Sequence, residues 1–273
     1  MAEKIKFAIL GADGRMGQAI IKAATSIDGV SINTALTHSQ SPHLGKDALA
    51  LAGVMSGAGQ SIVNLTDDLS QAGQSDVVID FSAPQATLDL VDAIKGSAVK
   101  AVISGTTGFN AAQQKSLDGA ISDLVFLQSG NFSMGVNMLE ALVELATSKL
   151  RQGWDIEVLE MHHKRKVDAP SGTALMLGEA AAAGRDVKLG DVQVLSREGQ
   201  TGARQEGDIG FATLRGGGVI GDHSVIIASE LEKITLSHSA FDRSVFADGA
   251  VNAALWAVKQ SPGHYNMKDV LGL

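Results

Sequence analysis

Residues 162–174 read His-His-Lys-Arg-Lys-Val-Asp-Ala-Pro-Ser-Gly-Thr-Ala. Five consecutive basic or imidazole side chains, His162, His163, Lys164, Arg165 and Lys166, run into a proline-bounded turn. The turn delivers Ser171, Gly172 and Thr173 to the start of an expected helix. N–H groups at a helix N-terminus, together with two hydroxyls, make a compact anion site. Histidine and lysine beside it supply charge and proton transfer. The pattern points to a pocket for a small anionic substrate with a proton donor at hand. The alternative is a polyanion-binding surface. With 22 Lys+Arg against 30 Asp+Glu, the net charge of the 273-residue chain is −8. That balance disfavours a general nucleic-acid or membrane-surface role.

Other chemistries are poorly supported. The chain has no cysteine, which excludes disulfides, thiolate metal sites and cysteine nucleophiles. No further His, Asp or Glu spacing completes a metal site around the histidines, so no metal is expected. Ser171 lacks the Gly-x-Ser-x-Gly elbow of a nucleophile. His162 and His163 are neighbours, so on a strand they face opposite ways, and only one enters the chemistry unless the chain is already turning. No stretch approaches the ~20 apolar residues of a membrane span. The N-terminus shows no signal-peptide pattern. A cytoplasmic protein is expected.

A second motif, Gly11-Ala12-Asp13-Gly14-Arg15-Met16-Gly17, lies between an expected strand, Phe7 to Leu10, and an expected helix, Arg15 to Ala24. In that context a glycine-rich turn admits a dinucleotide pyrophosphate against the helix N-terminus. The ribose reader should stand roughly 20 residues beyond, at the end of the second strand. Thr37, His38 and Ser39 are there, with no carboxylate. Hydroxyls and an imidazole favour NADPH over NADH at that tip. Phe81-Ser82-Ala83-Pro84, Gly105-Thr106-Thr107-Gly108-Phe109 and Ser129-Gly130-Asn131-Phe132-Ser133 each follow a strand, at the edge where ligands bind.

The elements that must position these motifs fall into two groups. Further strands are expected over Ile32 to Leu36, Ile62 to Leu65, Val77 to Phe81, Val99 to Ser104 and Val125 to Leu127. Helices are expected over Pro84 to Ile94 and Gln113 to Ile121. Near-continuous apolar strands alternating with helices predict a doubly wound parallel sheet, Rossmann-like in class. After residue 133 the pattern changes. Met138 to Leu150 predicts a helix with Leu139, Leu142, Val143, Ala146 and Leu150 as its buried stripe. Asp155 to Met161 alternates as a strand, and Ser171 to Ala183 is helical. Strands follow over Gly207 to Leu214, Ser224 to Ser229 and Lys233 to Ser237. This is an α+β domain with a mixed or antiparallel sheet. A final helix, Asp248 to Lys259, returns to the first domain. The expected division is 1–133 completed by 243–273, and 134–242 for substrate binding and oligomerisation.

Several segments together resemble the dihydrodipicolinate reductase family, which makes tetrahydrodipicolinate for lysine synthesis. They are Gly11 to Gly17, Gly105 to Phe109, Asn131 to Asn137, Glu160 to Ala174, Arg204 to Gly210, Gly216 to His223 and His238 to Arg243. The resemblance spans nearly the whole chain. Thr37-His38 departs from it, because many members carry an acidic–basic pair there. The resemblance implies hydride transfer from NADPH or NADH to a cyclic unsaturated dicarboxylate, 4-hydroxy-tetrahydrodipicolinate. It implies His162 as acid–base residue and Lys166 as proton donor. His163, Ser171, Gly172 and Thr173 would bind substrate carboxylate, with Thr107 contributing from the first domain. Cofactor contacts would come from Gly11 to Gly17, Thr37, His38, Phe81, Gly105, Thr106, Thr107, Ser129, Gly130, Asn131, Phe132 and Arg243. A homotetramer is implied as well.

Overall fold

The computed structural model describes residues 4–54, 62–151 and 153–273. The chain forms two compact units, one of residues 1–133 and 244–272, the other of 134–243 with the last residue.

The first unit holds β1 (Ile5–Leu10), α1 (Arg15–Thr25), β2 (Val30–Leu36), α2 (Ala48–Leu51), β3 (Leu65–Thr66), β4 (Val77–Asp80), α3 (Pro84–Ala93), β5 (Ala101–Ser104), α4 (Ala111–Ala120) and β6 (Val125–Gln128). A 3₁₀ segment, Leu69–Gln74, precedes β4. The strands form a seven-stranded sheet in the order β12-β6-β5-β4-β1-β2-β3, parallel throughout, where β12 is the late segment Gly263–Tyr265. Helices cover both faces, so successive strand residues are buried whichever way they point. Ala8, Val78, Val102 and Phe126 pack with Leu90, Val91 and Leu117 of α3 and α4. The opposite face meets the late helix of this unit, Ser244–Ala257, which also packs on α1. The strand order reverses between β1 and β4, the switch point at which such sheets bind ligands.

Two expectations change here. Val63 and Leu65 bond to Ala48 and Lys46, so most of 62–65 lies against the segment that enters α2 and leaves only a two-residue β3. β12 was not expected: three residues are too few to show a period.

The second unit holds α5 (Met134–Lys149), β7 (Asp155–His162), α6 (Gly172–Gly184), α7 (Leu189–Val192), β8 (Gln193–Val194), β9 (Ile209–Arg215), β10 (Gly221–Ala228) and β11 (Lys233–Ala240). The late helix of the first unit is then α8, and Met267–Leu271 is α9. The sheet order is β11-β10-β7-β9-β8, mixed because β7 runs parallel to β9 and antiparallel to β10. Val143 of α5 and Leu177 of α6 pack with Ile156, Val158, Val225 and Ile227 of one sheet face. Leu142 does not join them as expected; it is 43% exposed. The inward position nearby is Thr147, which is buried against Gly184 where α5 and α6 approach. A small polar residue and a glycine allow a helix crossing that a leucine would hold apart. Among the described residues no helix is long and apolar enough to cross a membrane.

Gly11 has φ +77°, and a Cβ there would stand 2.6 Å from the Phe81 carbonyl oxygen. A Cβ at Gly17 would overlap the Gly11 carbonyl oxygen. Alanine normally favours a helix over glycine by ~1 kcal/mol. Overpacking against backbone costs about 1–3 kcal/mol or more, so the steric effect should win. Gly17→Ala is therefore expected to lower the thermal midpoint, and a midpoint at or above that of the unmutated chain would contradict this packing.

Candidate active site

In the first unit, parallel strands bring four loops to one sheet edge. Gly11 follows β1, Phe81 follows β4, Gly105 follows β5 and Ser129 follows β6. Asp80 ends β4 with no exposed surface and ties these ends together. Its Oδ2 accepts from the hydroxyls of Thr87, Ser104 and Thr106 at 2.6, 2.9 and 3.0 Å. Its Oδ1 accepts from the Ser82 hydroxyl at 2.5 Å and the Ser82 amide at 3.1 Å. Burial pushes the Asp80 carboxyl up, and the four hydroxyls oppose it. Gly105 leaves room for the Phe81 ring, and Phe81 in turn meets Phe132 at 5.4 Å between centroids.

Two cavities open along this edge. One, of about 480 Å³, is lined by Gly11, Asp13 and Gly14 of the glycine loop, by Thr37, His38 and Ser39 after β2, and by Phe81 and Ser82 after β4. The other, of about 670 Å³, is lined by Thr106, Thr107, Gly108, Ser129 and Gly130, with His264, Tyr265 and Asn266 on its far wall. The first turn of α1 carries no side-chain cap at Gly14, which leaves its amides for a ligand. The closely packed glycines, the uncapped helix start and the buried, unbonded Thr37 Oγ1 fit a dinucleotide.

The first-unit expectations divide accordingly. Gly11, Asp13, Gly14, Thr37, His38, Phe81, Thr107, Ser129 and Gly130 line cavities. Thr106 also lines one, but its hydroxyl is taken by Asp80, which leaves its backbone. Ala12, Gly17 and Phe132 are buried packing positions, Arg15 is exposed and Met16 is half-buried. Asn131 shapes its own turn: its carbonyl accepts from the Ser129 hydroxyl and its side chain from the Ser133 amide.

In the second unit, β7 alternates so that Ile156, Val158, Glu160 and His162 face inward. Glu160 and His162 are two residues apart on one strand face and therefore meet. His162 Nδ1 lies 2.6 Å from Glu160 Oε2. Register places Arg215 opposite His162 and His223 opposite Glu160. Arg215 donates to both Glu160 oxygens at 2.7 and 2.9 Å. The Ser171 amide donates to Glu160 Oε1 at 3.1 Å. Burial works to raise the Glu160 carboxyl, but Arg215, His162 and the Ser171 amide hold it below the usual carboxylate range. An ionised Glu160 only accepts, so Nδ1 of His162 carries the proton and Nε2 of the neutral ring is an acceptor. That Nε2 lies over Gly221, where a Cβ would come within 3.1 Å.

Lys166 joins the same network. Its ammonium meets Asp168 at 2.8 Å, and the Asp168 carbonyl accepts from Arg215 at 2.7 Å. His163 stands half-exposed beside it, with Arg243 Nη2 3.3 Å from its Nε2. Desolvation and the charges of Arg165 and Arg243 lower the His163 pKa, the mark of a local positive field. Arg243, expected among cofactor contacts, is thus placed beside the basic motif. Ser171 is turned inward. Its hydroxyl accepts from the Ala174 amide at 3.1 Å as the cap of α6 and shares a bond with His223 Nε2 at 3.1 Å. Gly172 and Thr173 then form the outward first turn of α6. No cluster suited to a metal occurs among the described residues.

Sequence reasoning did not single out Glu160, Asp168, Arg215, His223 or Asp80. For Glu160 a signal was present: a carboxylate two residues before a histidine on an alternating strand. Arg215 and His223 depend on register and carried none.

Comparison with known proteins shows the family and the fold. The family described as dihydrodipicolinate reductase, N-terminus, matches residues 5–132, and its C-terminal counterpart matches residues 135–271. The chain is 52% identical over 271 residues to the 4-hydroxy-tetrahydrodipicolinate reductase of Sinorhizobium medicae, covering 98% of each. It is 47% identical over 273 residues to that of Parvibaculum lavamentivorans, covering 100% of each. Among solved structures, a dipicolinate-bound dihydrodipicolinate reductase from Paenisporosarcina sp. TG-14 shares the fold at TM-score 0.74 and 24% identity, covering 96% of this chain and 97% of that one.

His223 supplies a test of the buried network. Burial, with His162 beside it, lowers its pKa from 6.5 to about 4. Its Nδ1 is buried without a partner. Above pH 6.5 both folded and unfolded chains hold it neutral. As pH falls from 6.5 towards 4 only the unfolded chain takes up this proton, so stability falls by up to roughly 1.4 kcal/mol per pH unit. Denaturant unfolding of His223→Asn across that window should show a shallower decline than the unmutated chain. Parallel pH profiles would contradict a buried neutral imidazole.

Proposed function

The chain belongs to the dihydrodipicolinate reductase family, and we propose that it reduces 4-hydroxy-tetrahydrodipicolinate to tetrahydrodipicolinate in the diaminopimelate route to lysine. The observation that carries this reading is one hydrogen-bonded chain in the second unit. It runs from His162 through Glu160 and Arg215 to Asp168 and Lys166, and through Ser171 to the start of α6. A small dicarboxylate needs cations and N–H donors, and His163, Arg243 and the first turn of α6 provide them.

The reductant is a nicotinamide dinucleotide, NADH or NADPH, held by the first unit at the glycine loop and the two cavities. When bound it supplies the hydride. Loss of the substrate's 4-hydroxyl as water gives a conjugated imine, and hydride addition to it leaves an electron-rich enamine carbon that must take a proton. Lys166 Nζ carries that proton, with Asp168 fixing its position. His162 presents Nε2 as the acid–base atom because Glu160 occupies Nδ1. Gly172 and Thr173 bind one substrate carboxylate through the helix start, and the Ser171 hydroxyl orders that start without touching the ligand. Thr107 lines the larger cavity of the first unit, among the residues that would hold the dinucleotide.

The uncovered face of the second sheet supports a homotetramer. Leu159, Met161, Leu214 and Ile226 lie on the face opposite the one packed by α5 and α6 and keep exposed surface. Exposed apolar side chains gathered on one sheet face favour an interface. A biosynthetic reductase works where its reductant is kept, in the cytoplasm.

The activity is tested by feeding the product of pyruvate and aspartate semialdehyde from a dihydrodipicolinate synthase and following nicotinamide absorbance. Oxidation should depend on this protein. Lys166→Ala should lose about 10²–10⁴-fold in kcat while dinucleotide binding persists, as expected for loss of an acid–base group. No oxidation by the folded protein would remove the substrate assignment, and undiminished turnover in the variant would remove Lys166 from the chemistry.

A further inference from the structure

The tip of β2, where a dinucleotide fold commonly reads the adenosine ribose, ends in Leu36-Thr37 and offers no carboxylate. A carboxylate reaches the same cavity from the glycine loop. Asp13 leaves the glycine loop, and the Ser41 hydroxyl, from the segment after β2, donates to its Oδ2 at 2.5 Å. Asp13 and Thr37 both line the 480 Å³ cavity. Thr37 is only 5% exposed, and its Oγ1 is buried with no hydrogen-bond partner. A buried hydroxyl without a partner is costly unless a ligand completes it. It stands near enough to Asp13 to favour that carboxylate's charge, yet makes no well-formed bond to it.

The charge of the cavity wall has one sign. Asp67 and Asp89 line it with Asp13, against one imidazole, His38, and neither lysine nor arginine is among its lining residues. Arg15, the cation of the glycine loop, is exposed and does not line it.

We propose that Asp13 is a cofactor-specificity residue, accepting a hydrogen bond from the adenosine ribose 2′-hydroxyl beside Thr37 and thereby selecting NADH against NADPH. The proposal rests on the reading of the first unit as a nicotinamide-dinucleotide domain. A ribose hydroxyl satisfies an acceptor carboxylate and an unpaired threonine hydroxyl together. A 2′-phosphate brings about two negative charges to a wall already bearing three carboxylates, which is a repulsive element that discriminates without any added attraction. Burial would raise the Asp13 carboxyl, but the Ser41 hydroxyl, the loop's own amide and His38 hold it below its ordinary value, so it is charged at neutral pH. Thr37, His38 and Ser39 taken alone look like a phosphate site. The carboxylate facing them reverses the preference.

The test begins with the unmutated chain. Calorimetry should show 5′-AMP binding more tightly than 2′,5′-ADP, and kcat/KM should favour NADH over NADPH by at least about tenfold. Asp13→Ala should shrink that ratio by at least about tenfold, mainly through a lower KM for NADPH. Asp13→Asn, which keeps the side-chain shape against Ser41, should shift it the same way. Preference of the unmutated protein for NADPH, or ratios unchanged in the folded variants, would overturn the proposal while leaving the dinucleotide reading intact. Failure of both NADH and NADPH to bind would overturn that reading and the proposal with it.

Discussion

The carboxylate of Glu160 is the interaction on which the second unit depends. It accepts from His162 Nδ1, from both Arg215 Nη atoms and from the Ser171 amide, and it is 1% exposed. Charge-assisted bonds of this kind are roughly twice as strong as neutral ones. A buried carboxylate stripped of its cation costs about 3–5 kcal/mol, so each partner is held in place. The His162 bond fixes a tautomer and a ring orientation. The Ser171 bond fixes where α6 begins, and with it the direction of its first amides. The Arg215 bond continues to Asp168 and so to Lys166. One side chain thus sets the geometry of Lys166, His162 and the first turn of α6 together.

The first unit solves a related problem with different partners. Asp80 is as deeply buried as Glu160, yet all its described donors are neutral: four hydroxyls and one amide. The difference suits the work. In the second unit Arg215 compensates the carboxylate charge among several other cations. In the first, the loops need only be held in register around a cofactor that brings its own charge. Hydroxyls from β5, α3 and the Gly105–Gly108 loop converge on Asp80 and rigidify the edge without adding a cation to it.

Much of this was legible in sequence, for definite physical reasons. Strands buried on both faces read as short continuous apolar runs, so the doubly wound sheet is visible in Phe7 to Leu10 and Val77 to Ile79. The glycine loop is visible because close backbone approach admits no side chain at Gly11 or Gly17. The basic motif is visible because its members are consecutive. What stayed hidden depends on register or on very short elements. Arg215 lies 55 residues from Glu160 and Ser171 lies 52 from His223, and only strand pairing brings them together. The inward turn of the Ser171 hydroxyl follows from its role as cap, which the anion-site reading had assigned outward. Leu142 fits a helical stripe by spacing, but the close crossing of α5 and α6 is built on Thr147 and Gly184. Asp13 reads in sequence only as one residue of a glycine loop, because the ribose-reading carboxylate of such folds stands at the tip of β2.

The most direct test of Glu160 as the organising group is Glu160→Gln, examined by imidazole ¹⁵N NMR and by steady-state kinetics on the folded protein. In the unmutated chain the neutral His162 ring should carry its proton on Nδ1. The variant should show a tautomer mixture and at least about a tenfold loss in kcat, with dinucleotide KM unchanged. An unaltered tautomer with undiminished kcat would contradict the account.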